Sequence, residues 1–139
     1  MGSIPTPGTM TPVSFPSTTV LWVALGGAIG SSLRFGAGEV MRRLPAFAQF
    51  PWGTLLINVV GSLLLGWFLR WSSATDTTPQ FRAFVAIGVC GGFTTFSSFA
   101  AENLALLQGG QVTRAAAHAL LSLTLTVGAA FLGYALARP

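Results

Sequence analysis

Gly88–Phe99 reads GVCGGFTTFSSF and lies inside an apolar stretch that runs from about Phe81 to Leu107. Two adjacent glycines followed by threonines and serines make a poor helix centre, because these residues favour other backbone conformations. In lipid, the backbone groups freed by a break need a partner from the protein or a bound ion. Two interpretations are open. The helix is broken at mid-membrane and its free carbonyls bind a hard cation such as Na⁺, or it is kinked and packs closely through glycine.

Three further apolar stretches flank this segment, and each is long enough for a helix that crosses a bilayer, which needs about 20 residues. They run from about Val20 to Met41, Trp52 to Trp71 and Thr113 to Ala137. Pro45 and Pro51 mark the first connection, because proline ends one helix and suits the start of the next. The sequence therefore predicts an all-α integral membrane protein with four transmembrane helices, the third of which is broken.

The composition supports the same class of protein. Of the 139 residues, 52% are hydrophobic and only 7% are charged, against about 25% charged in a soluble domain. The net charge is +4, but the arginines are scattered, whereas a nucleic-acid-binding protein has a dense basic stripe. We predict a transmembrane domain over residues 20–139 in the cell membrane. Residues 1–19, rich in Pro, Ser and Thr, are predicted to be a disordered or extended tail.

The connections carry no charge bias that would orient the chain. Four spans place both termini on one side, and three arginines fall on each side of the membrane. One side has Arg70, Arg82 and Arg138, and the other has Arg42, Arg43 and Arg114. Without a positive-inside bias a chain can insert both ways, which predicts an antiparallel, dual-topology dimer. The alternative is that Arg34 or the lipid composition selects a single orientation.

Polar side chains inside the spans are candidates for an ion path. Asn58 in the second span is costly in lipid unless paired, so its amide donates either to an anion or to another helix. His118, Ser122 and Thr126 lie four residues apart on one face of the fourth span. The two hydroxyls either replace water around an anion or bond back to the preceding helical turn, and His118 is equally compatible with an interfacial position.

Aromatic and charged residues add further candidates. Phe93, Phe96 and Phe99 recur every three residues, and their electropositive ring edges face an anion or simply pack. Arg34 and Glu102 lie within or near spans, where charges are usually paired or functional. No combination of a nucleophile with a base, of paired carboxylates or of metal-ligand side chains occurs in the sequence, so we expect no enzyme activity.

These residues together resemble the Fluc fluoride channels, also called the CrcB family. The resemblance covers about residues 20–138 and is carried by three motifs. They are Gly27–Phe35 (GAIGSSLRF), Gly53–Ser62 (GTLLINVVGS) and, most specifically, Gly91–Phe99 (GGFTTFSSF) followed by Glu102.

The resemblance implies a homodimer of antiparallel subunits with two pores, each built from both chains, that exports fluoride passively from the cytoplasm and confers fluoride resistance. It implies that Asn58 donates to the permeating fluoride. It also implies that the ring edges of Phe96 and Phe99 line the ion path.

The resemblance assigns roles to five further residues. Ser122 and Thr126 correspond to a hydroxyl track on the fourth helix, and Arg34 corresponds to a first-helix arginine near a vestibule. The backbone carbonyls of Gly91 and Thr94 correspond to ligands of a central Na⁺ at the dimer interface. The resemblance gives no clear role to Glu102, and it leads us to expect an aromatic or another polar residue at the position of His118.

Two other functions fit a small chain with four spans. A dual-topology small multidrug exporter needs a membrane-embedded carboxylate in the first span, and Glu39, near the end of that span, is the candidate. A membrane scaffold without transport activity would use Asn58 and the small residues only to pack helices.

Overall fold

The computed structural model describes residues 17–47 and 49–137, and every regular element within them is helical. Arg138 and all of the predicted tail except residues 17–19 lie outside this part of the chain, and those three residues form the start of the first helix. The elements in chain order are α1 (Ser17–Arg42), a 3₁₀ turn (Pro45–Phe47), α2 (Trp52–Ala74), α3 (Pro79–Arg82), a π-helix (Ala83–Cys90), α4 (Gly91–Phe93), α5 (Phe96–Gln108) and α6 (Val112–Leu136).

Four segments are long and apolar enough to cross a membrane, which confirms the prediction of an all-helical chain with four spans. They are Thr18–Arg42, Trp52–Ala74, Pro79–Gln108 and Val112–Leu136. Each end lies within three residues of the predicted one, because the prolines and the polar connections stop the helices where expected. The chain is a multi-pass membrane protein.

The exterior is apolar and much of the buried core is made of small residues. Large side chains such as Phe35, Leu120 and Phe131 are exposed, whereas Ala83 and Ala115 are buried. In water this distribution would be unstable, but lipid chains are as apolar as these side chains. Small residues at the buried positions let the helix backbones approach closely.

The helices form two closely packed pairs, and within each pair the backbones of the two helices approach each other at glycines. In one pair α1 lies against the π-helix and α4, and a Cβ added to Gly92 would come within 2.8 Å of the Gly27 carbonyl oxygen. In the other pair α2 lies against α6, and a Cβ on Gly133 would overlap the Leu63 carbonyl. Both contacts are backbone against backbone, so any side chain at these glycines would push the helices apart.

The third span changes conformation within a few residues. The π-helix passes into α4, after which Thr94 and Thr95 are extended, with φ/ψ of −79°/158° and −151°/120°. The sequence suggested the glycine pair as the point of change, but Gly91 and Gly92 are helical. Gly92 serves close packing against α1 instead, and the two β-branched threonines take the extended backbone that suits them.

Gly133→Ala tests the glycine contacts. The added methyl group would overlap backbone atoms of α2, which cannot move aside like a side chain, so we expect a loss of about 1–3 kcal/mol of stability. Thermal unfolding in detergent measures the change. Gly128→Ala on the same helix is the control, because a Cβ there meets nothing within 4 Å and alanine favours the helix. Equal unfolding temperatures for the two variants would contradict this packing.

Candidate functional site

A pair of hydrogen bonds between Asn58 and Thr95 joins the second span to the extended residues of the third. The Thr95 backbone N–H donates to Asn58 Oδ1 over 2.7 Å, and Asn58 Nδ2 donates to the Thr95 carbonyl over 3.0 Å. The side-chain amide thus takes the place of the helical partners that an extended residue lacks. Of the two interpretations of Asn58, the bond between helices is formed. One of its two amide hydrogens stays available, because the amide nitrogen carries two.

These bonds leave two backbone carbonyls without their helical donors. In a continuous α-helix the Gly91 carbonyl would accept from the Thr95 N–H, and the Thr94 carbonyl from the Ser98 N–H. The Thr95 N–H donates to Asn58 instead. The Ser98 N–H donates over 3.1 Å to Thr95 Oγ1, and the Thr95 side chain thereby caps α5. Gly91 and Thr94 are the two residues whose carbonyls the resemblance assigned to a cation, and each carbonyl lacks the donor that a continuous helix would supply.

Five of the six residues predicted for the ion path line one cavity of about 360 Å³ between α2, α5 and α6. They are Asn58, Phe96, Phe99, Ser122 and Thr126. Three helices contribute to this wall because the extended residues turn α5 so that its first residues face α2 and α6. The cavity therefore combines amide, hydroxyl and aromatic groups.

The extended residues separate Phe93 from Phe96 and Phe99. Phe96 and Phe99 have ring centroids 5.3 Å apart and both line the cavity. Phe93 lines a different groove beside Gly61 and Cys90. The three rings do not share one side, because a spacing of three residues places side chains on one side only where the helix is continuous. The side chain of Phe96 is 79% exposed in the single chain.

The two hydroxyl groups of the fourth span, those of Ser122 and Thr126, differ in their hydrogen bonds. Thr126 donates its hydroxyl hydrogen to the Ser122 carbonyl, so the back-bonding interpretation holds for it. Ser122 Oγ is buried and has no hydrogen-bond partner among the described residues. Ser122 therefore brings an unused donor to the cavity wall, whereas the donor of Thr126 is already used.

Arg34 lies outside this cavity. It lines a separate groove of about 510 Å³ together with Thr54 and Glu102, and its Nε donates to the Gly92 carbonyl over 3.1 Å. Gly92 would otherwise bond to the N–H of Phe96, which starts the next helix. Arg34 thus supports the turn between α4 and α5 from the α1 side.

A polar cluster next to the cavity was only partly predicted from the sequence, and it consists of Thr54, Glu102, Asn103 and His118. His118 has 0% exposure, because its ring lies against those of Phe50, before α2, and Phe99, on α5. Asn103 Nδ2 lies 3.0 Å from His118 Nδ1, and Thr54 donates to Glu102 Oε1 over 2.5 Å. Thr54 and Asn103 were not predicted, although a carboxamide one turn beyond Phe99 in an apolar helix was an available signal.

The sequence matches known proteins over nearly its whole membrane domain. The family model of the CrcB-like protein, Camphor Resistance (CrcB), matches residues 21–134. A protein of Thermus thermophilus named fluoride-specific ion channel FluC is 52% identical over 116 residues, covering 84% of this chain and 92% of its own. Proteins of the same name from Hyphomonas neptunium and Rhizobium meliloti are 46% and 42% identical, covering 85% and 86% of this chain and 94% and 95% of their own.

Asn58→Asp tests the bonds between Asn58 and Thr95. A carboxylate cannot donate to the Thr95 carbonyl, so two acceptors would face each other and we expect a loss of about 1–3 kcal/mol of stability. Thermal unfolding in detergent again gives the measurement, with Gln108→Glu at the exposed end of α5 as a control for the same chemical change. The assignment fails if both variants unfold at the temperature of the unmodified protein.

Proposed function

The chain belongs to the CrcB family, and from this premise we propose that it is a fluoride channel that lets fluoride leave the cytoplasm passively through the cavity between α2, α5 and α6. Its relatives carry the name of fluoride-specific ion channels. Moving an ion through a channel breaks no covalent bond, so the family also agrees with the expectation that the chain is not an enzyme.

One observation carries this proposal: a single cavity holds the groups that can replace the water around a small anion. Fluoride is strongly hydrated, so a selective path must supply donors as water is removed. The second amide hydrogen of Asn58 and the unused hydroxyl of Ser122 are hydrogen-bond donors. The ring edges of Phe96 and Phe99 carry positive partial charge. A wall of this kind suits an anion and offers little to a cation.

We propose that the working unit is an antiparallel homodimer with two pores. In the single chain Phe96 is 79% exposed, so the cavity is open on the side where this ring lies and a second chain could close it. A second groove of about 500 Å³, lined by small residues that include Gly36 and Gly61, gives close access to another helix. The balanced arginines of the connections allow insertion in both orientations, and a twofold axis in the membrane plane would give each pore residues from both chains.

A central Na⁺ fits the carbonyls of Gly91 and Thr94. Both lack their helical donors, and hard cations take oxygen ligands, including the carbonyls of unwound helices. Each chain of a dimer would supply half of the ligands. The carbonyls of Gly91 and Thr94 would coordinate Na⁺ in this place, and its charge would add positive potential beside an anion path.

The exporter alternative has less support from the structure. Glu39, the carboxylate of the first span, pairs with Arg42 at the end of α1. A carboxylate that couples protons to organic cations should lie in the transport path, whereas this one is neutralised by a neighbour one turn away. A scaffold without transport leaves the unused donor of Ser122 at the cavity wall unexplained.

Fluoride efflux from liposomes tests the proposal, with Phe96→Ile as the main variant. Isoleucine keeps the apolar bulk but lacks the electropositive ring edge, which contributes about 0.5–1.5 kcal/mol in aromatic contacts. We therefore expect fluoride flux to fall by about two- to tenfold. A fluoride-selective electrode follows efflux from vesicles that contain the purified protein.

Phe131→Ile is the matched control, because Phe131 is 73% exposed on α6 and does not line the cavity. It should keep the original flux, and chloride should not leave the vesicles in either case. Equal flux in both phenylalanine variants would remove Phe96 from the path. Absence of fluoride efflux from the unmodified protein would overturn the channel itself, and efflux of organic cations driven by protons would favour the exporter.

A further inference from the structure

His118 is fully buried and Glu102 is partly exposed, but the two atoms with which they face each other are both buried and unused. His118 Nε2 and Glu102 Oε2 lie 3.8 Å apart, which is too long for a hydrogen bond. Neither atom has a hydrogen-bond partner among the described residues. Two unsatisfied polar atoms of this kind are costly inside a protein unless something else bonds to them.

Asn103 determines which nitrogen of His118 carries the proton. Asn103 Nδ2 donates to the Phe99 carbonyl over 3.0 Å, so this atom is the amide nitrogen, because a carbonyl only accepts. The same nitrogen lies 3.0 Å from His118 Nδ1, and it can only donate there as well. His118 Nδ1 is therefore an acceptor, and the proton of the neutral ring is on Nε2, which faces Glu102.

Thr54 determines the role of each Glu102 oxygen. Oε1 accepts from the Thr54 hydroxyl over 2.5 Å, which leaves Oε2 to face His118. With Glu102 ionised, Oε2 is an acceptor and its negative charge repels anions. With Glu102 protonated on Oε2, this oxygen and His118 Nε2 become two donors that converge on one point. At a separation of 3.8 Å, one small acceptor can lie within hydrogen-bonding distance of both.

We propose that His118 and Glu102 form a proton-linked fluoride-binding site in which the Nε2–H group and the protonated carboxyl group both donate to one fluoride. The proton comes from the buffered solution through the groove that Glu102 lines and returns there when fluoride leaves. It does not go to His118, because an Nδ1–H would face the donor of Asn103. This inference rests on the proposed function, since it assigns fluoride as the ligand.

The position of the pair connects the cavity to the groove of Arg34. The ring of Phe99 lines the cavity and lies 5.0 Å from the ring of His118. Ser122, with its unused hydroxyl, is one helical turn from His118. The pair therefore lies between the cavity that Phe99 lines and the groove that Glu102 lines.

The charged groups around the pair come from α1 and α6. Arg34 and the Glu39–Arg42 pair line the groove of Glu102 on one side. Arg114 lines a groove of Glu102 on the other side. Glu39 is paired with Arg42, so Glu102 is the carboxyl group whose protonation changes the charge at this site. Fluoride binding should become stronger as the pH falls.

Calorimetric titration of the whole protein in detergent with sodium fluoride tests the proton linkage. Repeating it in two buffers of different ionisation enthalpy gives the number of protons taken up with each fluoride. We expect uptake that approaches one proton where Glu102 is ionised, and an affinity that falls up to about tenfold for each pH unit above that point. Glu102→Gln keeps a donor beside Nε2 without titrating, so it should bind fluoride with no proton uptake. Asp76→Asn, in the exposed connection before α3, is the matched control and should keep the uptake.

The inference is overturned if the unmodified protein takes up no proton with fluoride, or if Glu102→Gln takes up as many as the original. The first measurement needs no variant, so a failure of Glu102→Gln to fold does not remove the test. Fluoride efflux from vesicles, corrected with protein-free vesicles at each pH, separates the two proposals. Efflux without Glu102-linked proton uptake rejects this site alone, whereas no protein-dependent efflux rejects the channel.

Discussion

The exchange of two hydrogen bonds between the Asn58 side chain and the Thr95 backbone supports the rest of the site. In lipid an extended residue cannot obtain hydrogen bonds from water, so its N–H and carbonyl need partners within the protein. Asn58 supplies both, at 2.7 and 3.0 Å. Because the Thr95 N–H is used in this way, the Gly91 carbonyl is released, and because Thr95 Oγ1 caps α5, the Thr94 carbonyl is released as well. The same turn places Phe96 and Phe99 on the cavity wall.

A second constraint is that the apolar exterior and the polar interior must both suit a membrane. Small residues let α1 and α2 approach their neighbours closely, and polar side chains of α2, α5 and α6 surround the cavity. On α5 and α6, Thr126 and Asn103 have hydrogen-bond partners, Ser122 Oγ has none among the described residues, and His118 Nε2 faces Glu102 across a gap of 3.8 Å. These gaps are where a small anion can gain hydrogen bonds that the protein itself leaves unused.

The spans were predictable from the sequence because length, hydropathy and proline positions determine them almost alone. The grouping of Asn58, Phe96, Phe99, Ser122 and Thr126 followed from the resemblance of the motifs, and the structure places these residues at one cavity. Details that depend on packing were not predictable. The extended residues are Thr94 and Thr95 and not the glycine pair, because Gly92 is needed where α1 approaches.

The difference between Ser122 and Thr126 also escapes the sequence, since both can bond back to the helix and only the local geometry decides which does. The cluster of His118, Asn103 and Glu102 depends on how α5 lies against α6, which no local pattern encodes.

A crystal structure of the protein in lipid, grown in Na⁺ at a resolution that shows single ions, tests the central claim most directly. The predicted result is an extended Thr94–Thr95 pair bonded to Asn58, with one cation held by the Gly91 and Thr94 carbonyls of two antiparallel chains. An uninterrupted α-helix through residues 91–98, with the Thr95 N–H bonded to the Gly91 carbonyl, would contradict it.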